Sequence, residues 1–157
     1  ASQAALNGRA VCVAATTPGR ERQHAAFEQV LDAAQNSFGP DHLQVAHVFD
    51  QMVIMHAAFG RLGPATARCR QALRIRRNVL RADHPRLADN LNRLASLLSE
   101  TGHPSAAVAL LTEALEIRIK AFGTDHPKAM LARENLAKAK HLAKGAVKGA
   151  GSRAVED

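Results

Sequence analysis

Leu87, Leu91, Leu94, Ala95 and Leu98 follow one another at three- and four-residue steps with polar residues between them, so they fall on one face of a helix. Asp83 is placed to cap that helix, which the pattern starts at His84 and Pro85, where a proline without an N–H is tolerated. Thr101-Gly102-His103-Pro104 ends it, because glycine takes the left-handed conformation past a helix end and proline opens the next helix. A second apolar stripe then runs through Ala107, Leu110, Leu111, Ala114, Leu115 and Ile117 to about Phe122. The small residues Ala107 and Ala114 let the two helices approach closely.

This unit recurs. Phe38-Gly39-Pro40-Asp41-His42 returns as Leu80-Arg81-Ala82-Asp83-His84-Pro85 and as Phe122-Gly123-Thr124-Asp125-His126-Pro127, an interval of 42 residues. One period back, Phe49, Met52 and Val53 take the first stripe, Ala65, Cys69, Ala72 and Leu73 the second, and Gly60 the place of Gly102. A further step back gives Phe27, Val30 and Leu31 on a helix from about Arg20 to Ser37, with another helix expected around Ala4 to Ala15. A step forward gives Leu136 and Ala137, but Arg133, Lys140 and Lys144 replace apolar residues or glycine, as a solvent-facing end helix requires.

The expected organisation is therefore an array over residues 1–144, about three helix pairs and a capping helix, followed by a disordered basic tail over 145–157 that has no apolar period. Because the chain begins at Ala1, without methionine and part-way into the pattern, it reads as a piece of something longer. Repeats of this length stack on their neighbours and expose a long surface, whose usual work is to bind another chain.

Composition narrows the fold to all-α. Of the 157 residues 46% are hydrophobic but only 3% aromatic, with no Trp or Tyr, so the core must be Ala and Leu, which suits close-packed helices rather than sheets. The net charge of +7 favours acidic partners at low salt. Cys12 and Cys69 have neither metal-ligand spacing nor the density of a disulfide scaffold, which points to a reducing, cytoplasmic setting. No apolar run is long enough to span a bilayer, and Val11 to Ala15 is too short for a secretory signal, so no membrane association is expected.

The string Ala88-Asp89-Asn90-Leu91-Asn92-Arg93-Leu94-Ala95, with Gly102, Ala107, Leu111 and Ala114-Leu115-Glu116-Ile117-Arg118 downstream, resembles the tetratricopeptide repeat in its kinesin light chain variety. The resemblance covers roughly residues 20–143. It implies a right-handed α-solenoid of antiparallel helix pairs, whose first helices line a concave groove for an extended peptide. It also implies that two amide positions of each first helix face that groove. Here they are Asp50, Asn92 and Glu134, and Gln51, Arg93 and Asn135. One turn earlier stand His47, Asp89 and Leu131, where relatives that clamp an acidic C-terminal chaperone peptide carry lysines; Asp89 would repel that carboxylate.

The expected function is thus a non-catalytic adaptor or scaffold that holds a peptide segment of a protein partner. Its candidate groove residues are His47, Asp50, Gln51, Ile54, Asp89, Asn92, Arg93, Ser96, Asn135 and Lys138, and Asn92 and Arg93 lead the set. No phosphate loop, HExxH pair, nucleophile elbow or CxxC motif points to an enzyme or a cofactor. His42, His84 and His126 recur in phase, but stacked units lie about 10 Å apart. A zinc ion holds its ligands at about 2 Å, so these histidines are read as part of the connection between repeats, and His47 and His56 as groove or packing residues.

The alternative reading rests on Arg68, Arg70, Arg74, Arg76, Arg77 and Arg81, which crowd the second helix of the middle unit. Arg70, Arg74, Arg77 and Arg81 follow helical spacing and should form a convex stripe, a dock for an acidic cytoskeletal tail or another polyanion, helped by Lys138, Lys140, Lys144 and Lys148. Nucleic acid is the weaker version of this idea, since no aromatic residue interleaves to stack bases. A third possibility is a homo-oligomer formed through an exposed terminal helix.

Overall fold

Each helix packs on its neighbour in the chain and the array advances one helix at a time. The structure is a computed structural model that describes residues 2–153, with side chains from 18 to 147. Its helices are α1 (Ser2–Phe38), α2 (Leu43–Ala58), α3 (Leu62–Val79), α4 (Pro85–Glu100), α5 (Pro104–Phe122) and α6 (Pro127–Arg153). No strand occurs among the described residues, and the architecture is the all-α solenoid expected from the repeat.

The two interior pairs, α2–α3 and α4–α5, follow the apolar register of the sequence. Leu87, Leu91, Leu94, Ala95 and Leu98 are buried, as are Ala107, Leu111, Ala114 and Ile117, while Leu110 and Leu115 are partly buried against the same core. That core is continuous from Val53 on α2 through α3, α4 and α5 to Leu136 and Ala139 on α6. A second cluster joins Leu31 of α1 to Val45, Ala46, Phe49 and Met52 of α2 and to Ala72 and Ile75 of α3. Within each pair the turn depends on a glycine at positive φ, Gly60 at 69° and Gly102 at 82°, a region that a side chain makes costly.

The recurring histidine, not the aspartate before it, caps the first helix of each unit. Nδ1 of His42, His84 and His126 accepts from the backbone N–H of Gln44, Arg86 and Lys128 at 3.1, 3.2 and 3.2 Å. Asp83 was the expected cap of α4; the helix starts at Pro85 with His84 in the cap position, and the ring nitrogen reaches the N–H two residues on. Phe38 stacks on His42 and Phe122 on His126, with ring centroids 5.0 and 4.7 Å apart, which holds the cap rings in place in the outer units.

Both ends depart from the expected outline. Residues 4–37, read as two helices, belong to one helix with Pro18 inside it, at the cost of a backbone hydrogen bond and of a clash between the proline ring and the preceding turn. At the other end α6 continues past Lys144, where a tail was expected, because Ala, Val and Lys keep helix propensity up around its glycines. Side chains from 148 onward and the last four residues lie outside the described ones. Arg133, Lys140 and Lys144 are exposed on α6.

Candidate functional site

The first helices α2, α4 and α6 carry the predicted groove residues, and two hollows separate them. The hollow between α2 and α4, about 260 Å³, is lined by Leu43, His47 and Asp50 of α2, by Arg86, Asp89, Asn90 and Arg93 of α4, and by Arg76 of α3. A second hollow of about 280 Å³ lies between α4 and α6 and collects Asn92, Ser96, Asn135 and Lys138, with Leu111 and Ala139 at its floor. Of the predicted set only Gln51 and Ile54 fall outside both, and each is exposed on α2. The amphipathic pattern makes this arrangement unavoidable, because the apolar stripes of α2, α4 and α6 are used against their partners and the opposite polar faces are left over.

The first hollow is not an open acidic cleft. Arg76 donates from both terminal nitrogens to the two oxygens of Asp50, and Nη1 of Arg93 approaches the same carboxylate at 3.2 Å. One unit further on, Arg118 Nη2 donates to Asp89 Oδ1 at 3.0 Å and Nη1 to the Lys128 carbonyl at 3.3 Å. Both groove carboxylates therefore have guanidinium partners. Arg86 is exposed and has no ion pair among the described residues, so the unspent charge in this hollow is cationic. Behind the wall of the second hollow Asn92 Oδ1 is buried without a hydrogen-bond partner.

Arg76 and Arg118 were the functional positions hardest to read. Arg76 was counted only among the arginines that crowd the second helix of the middle unit; its side chain is 11% exposed and lines the first hollow. The signal was their register: each directly follows a buried isoleucine, in Ala72-Leu73-Arg74-Ile75-Arg76 and Ala114-Leu115-Glu116-Ile117-Arg118. Arg68 is likewise turned inward, donating to Glu28 of α1 at 2.6 Å.

Of the remaining stripe, Arg70, Arg74 and Arg77 are exposed on α3 and Arg81 lies past its end, and most of these cations are paired. Arg77 bridges to Glu113 of α5 at 2.7 Å, Arg74 lies 3.5 Å from Asp41, and Arg81 lies 3.3 Å from Asp83. Arg70 has no ion pair among the described residues. Acids of neighbouring elements meet Arg74, Arg77 and Arg81.

Two buried polar groups lie behind the groove. His56, in phase with Leu98, is 1% exposed, and its pKa is lowered mainly by burial, then by His24, Arg61 and Arg68, against a smaller opposing effect of Glu28. The Cys69 thiol is fully buried against Asn90, and burial pushes its pKa up to about 11. A protonated, enclosed thiol of this kind packs as a small hydrophobe, the role its place in the stripe suggested.

Residues 65–120 match the family model of the tetratricopeptide repeat. That stretch is a tetratricopeptide-repeat segment, and the helices around it continue the same solenoid architecture. Two crystal structures of nearly identical TPR-like repeats of a Podosopora anserina protein named for kinesin light chain, one a point variant, superpose on the chain with a TM-score of 0.70. Identity is 22% in both, over 86% of this chain and 63% and 64% of theirs. BtubC (BKLC) from P. vanneervenii matches with a TM-score of 0.61 and 15% identity, over 89% of this chain and 60% of that one. At these identities the likeness is one of fold, and the chain spans less than two thirds of the solved chains it resembles. No curated protein sequence matches it. The tetratricopeptide array is a protein–protein interaction fold, and among the described residues no helix is long and apolar enough to cross a membrane.

Proposed function

We propose that this tetratricopeptide array is a non-catalytic adaptor that holds an extended peptide of a protein partner along α2, α4 and α6. The observation that carries the reading is the pair of hollows between successive first helices, which gather His47, Asp50, Asp89 and Arg93 at one site and Asn92, Ser96, Asn135 and Lys138 at the next. A peptide lying across α4 would meet both. Arg93 offers it donors in the first hollow, and Ser96, Asn135 and Lys138 offer it polar groups in the second. The kinesin light chain name of the neighbours supports an adaptor, and with the cysteine usage it favours the cytoplasm.

The convex stripe is the weaker dock, since Arg74, Arg77 and Arg81 already have acidic partners and only part of their charge is left for a visitor. A display library of random peptides selected on the whole chain separates the two readings. Groove binders should lose at least tenfold in affinity to an Asn92→Ala, Arg93→Ala double variant and keep it in Arg74→Glu, Arg77→Glu. The reverse pattern would move the site to the convex face.

A further inference from the structure

One face of α1 has no helix against it. Ala72 and Ala114, in phase with each other, are 0% exposed because the first helix of their own pair covers them. Val30 holds that register position on α1 and is 52% exposed, and Ala26 and Ala33 beside it are exposed as well. The opposite edge of α1, through Phe27 and Leu31, is packed on α2. Thus α1 is built as the second helix of a pair whose first helix is not on it.

The chain itself holds a segment with the matching register. Stepping two repeats back from Ala88, Leu94, Ala95 and Leu98 of α4 lands on Ala4, Ala10, Val11 and Ala14. The turns Phe59-Gly60-Arg61 and Thr101-Gly102-His103 land on Thr17-Pro18-Gly19. Proline cannot take the positive φ of Gly60 and Gly102, but it disfavours helix at the preceding Thr17, and Gly19 next to it is free to take the left-handed turn. Asn7 stands where Phe49 and Leu91 are buried, which makes the segment a weaker seat than its equivalents.

We propose that residues 2–16 also fold back at Pro18–Gly19 as an antiparallel helix seated on Ala26, Val30 and Ala33, so that the continuous α1 and a third helix pair are two states of one array. Small side chains on both faces allow close approach, and closure removes the Val30 patch from water. The continuous helix keeps its backbone bonds at the hinge but leaves that patch wet. Closure has a functional consequence that rests on the groove reading. It sets Gly8 in phase with Asp50 and Asn92, and Arg9 in phase with Gln51 and Arg93, lengthening the groove by one unit with a further cation.

Spin labels on Ala5→Cys and Asp32→Cys, in the full chain with Cys12→Ser and the buried Cys69 retained, read the two states directly. A continuous helix separates the labels by ~40 Å, and an antiparallel pair brings them within ~20 Å. A short-distance population that persists when labelled chain is diluted into unlabelled chain is the expected result. Adding Val30→Asp should convert that population to the long distance. A long distance alone overturns the proposal, and so does a short distance that survives Val30→Asp. A short distance that vanishes on dilution also overturns it, and assigns the Val30 face to a second copy. No peptide is needed for this measurement, so its failure leaves the groove reading standing and the converse also holds.

Discussion

Arg118 on α5 lies 3.0 Å from the Asp89 carboxylate on α4, and the same guanidinium donates to the Lys128 carbonyl at the start of α6. One side chain thus joins three consecutive helices. Its counterpart one repeat back, Arg76, takes Asp50 instead, and that carboxylate also meets Arg93 of the next groove helix. Both arginines work from the second helix of a pair, with their stems packed beside the core and their heads at the groove wall. They fix the spacing of the surface that a partner would read.

Truncating Arg118 to Ala should lower stability by about 2 kcal/mol, through the lost charged hydrogen bonds and the lost packing of its stem. Asp89, whose side chain is 64% exposed, should matter less, and Asp89→Asn should cost under about 1 kcal/mol. Urea unfolding of the two variants tests the asymmetry. Equal losses would mean that Arg118 does no more than its ion pair.

Asp50→Ala leaves Arg76 charged, 11% exposed and without its carboxylate, so a loss of about 3 kcal/mol is expected. Replacing both, as Asp50→Leu with Arg76→Met, should recover most of it, because the desolvated charge is gone as well. A double-mutant cycle from denaturant melts gives the coupling directly, and a coupling near zero would separate the two residues energetically.

His84→Ala removes the Nδ1 acceptor at the start of α4 and should cost about 1 kcal/mol, whereas His84→Ser supplies a hydroxyl cap and should cost less. Hydrogen exchange at the first turn of α4 is the local readout. Unchanged protection in His84→Ala would show that the imidazole is dispensable as a cap.

His56 should make the array acid-sensitive. Burial lowers its folded-state pKa below the ordinary 6.5, so the unfolded chain takes up the proton first. Its contribution is fully present above 6.5 and falls as pH drops from there toward the folded-state value. His56→Leu, which installs the residue type found in phase at Leu98, should flatten that part of the stability–pH curve and raise the melting temperature at neutral pH, since the unpartnered buried Nδ1 disappears. Thermal melts of both chains between pH 7.5 and 5 give the comparison.

Leu94→Ala should cost about 2–5 kcal/mol by opening a cavity in the core that links α4 to its neighbours. Circular dichroism melting identical to the parent chain would remove Leu94 from the core.

The interior of the array was legible residue by residue. Leu91, Leu94, Cys69 and Ala114 are buried where a period of three and four places them, because in a helix the direction of a side chain depends only on its position along the chain. The groove positions came from the resemblance to the tetratricopeptide repeat, and the structure places most of them along the two hollows beside α4. The cap was misassigned to Asp83 because aspartate is the stronger capping type, and only the backbone direction at His84 puts the imidazole nitrogen over the Arg86 N–H. The partners of Arg68 and Arg76 were not legible, since helical spacing says which side a residue leaves from and not whether an acid on another helix meets it there.

Chain order and periodicity by themselves determined the repeat length, the all-helical class, the interior stripes and the polar faces opposite them, all of which follow from the geometry of a single helix. Tertiary structure alone decided which of those residues are already engaged. Asp50 meets Arg76, Asp89 meets Arg118, and Arg77 meets Glu113 across separations of 26, 29 and 36 residues. Ion pairs of that range depend on how neighbouring helices are set against one another, and no local pattern encodes that placement.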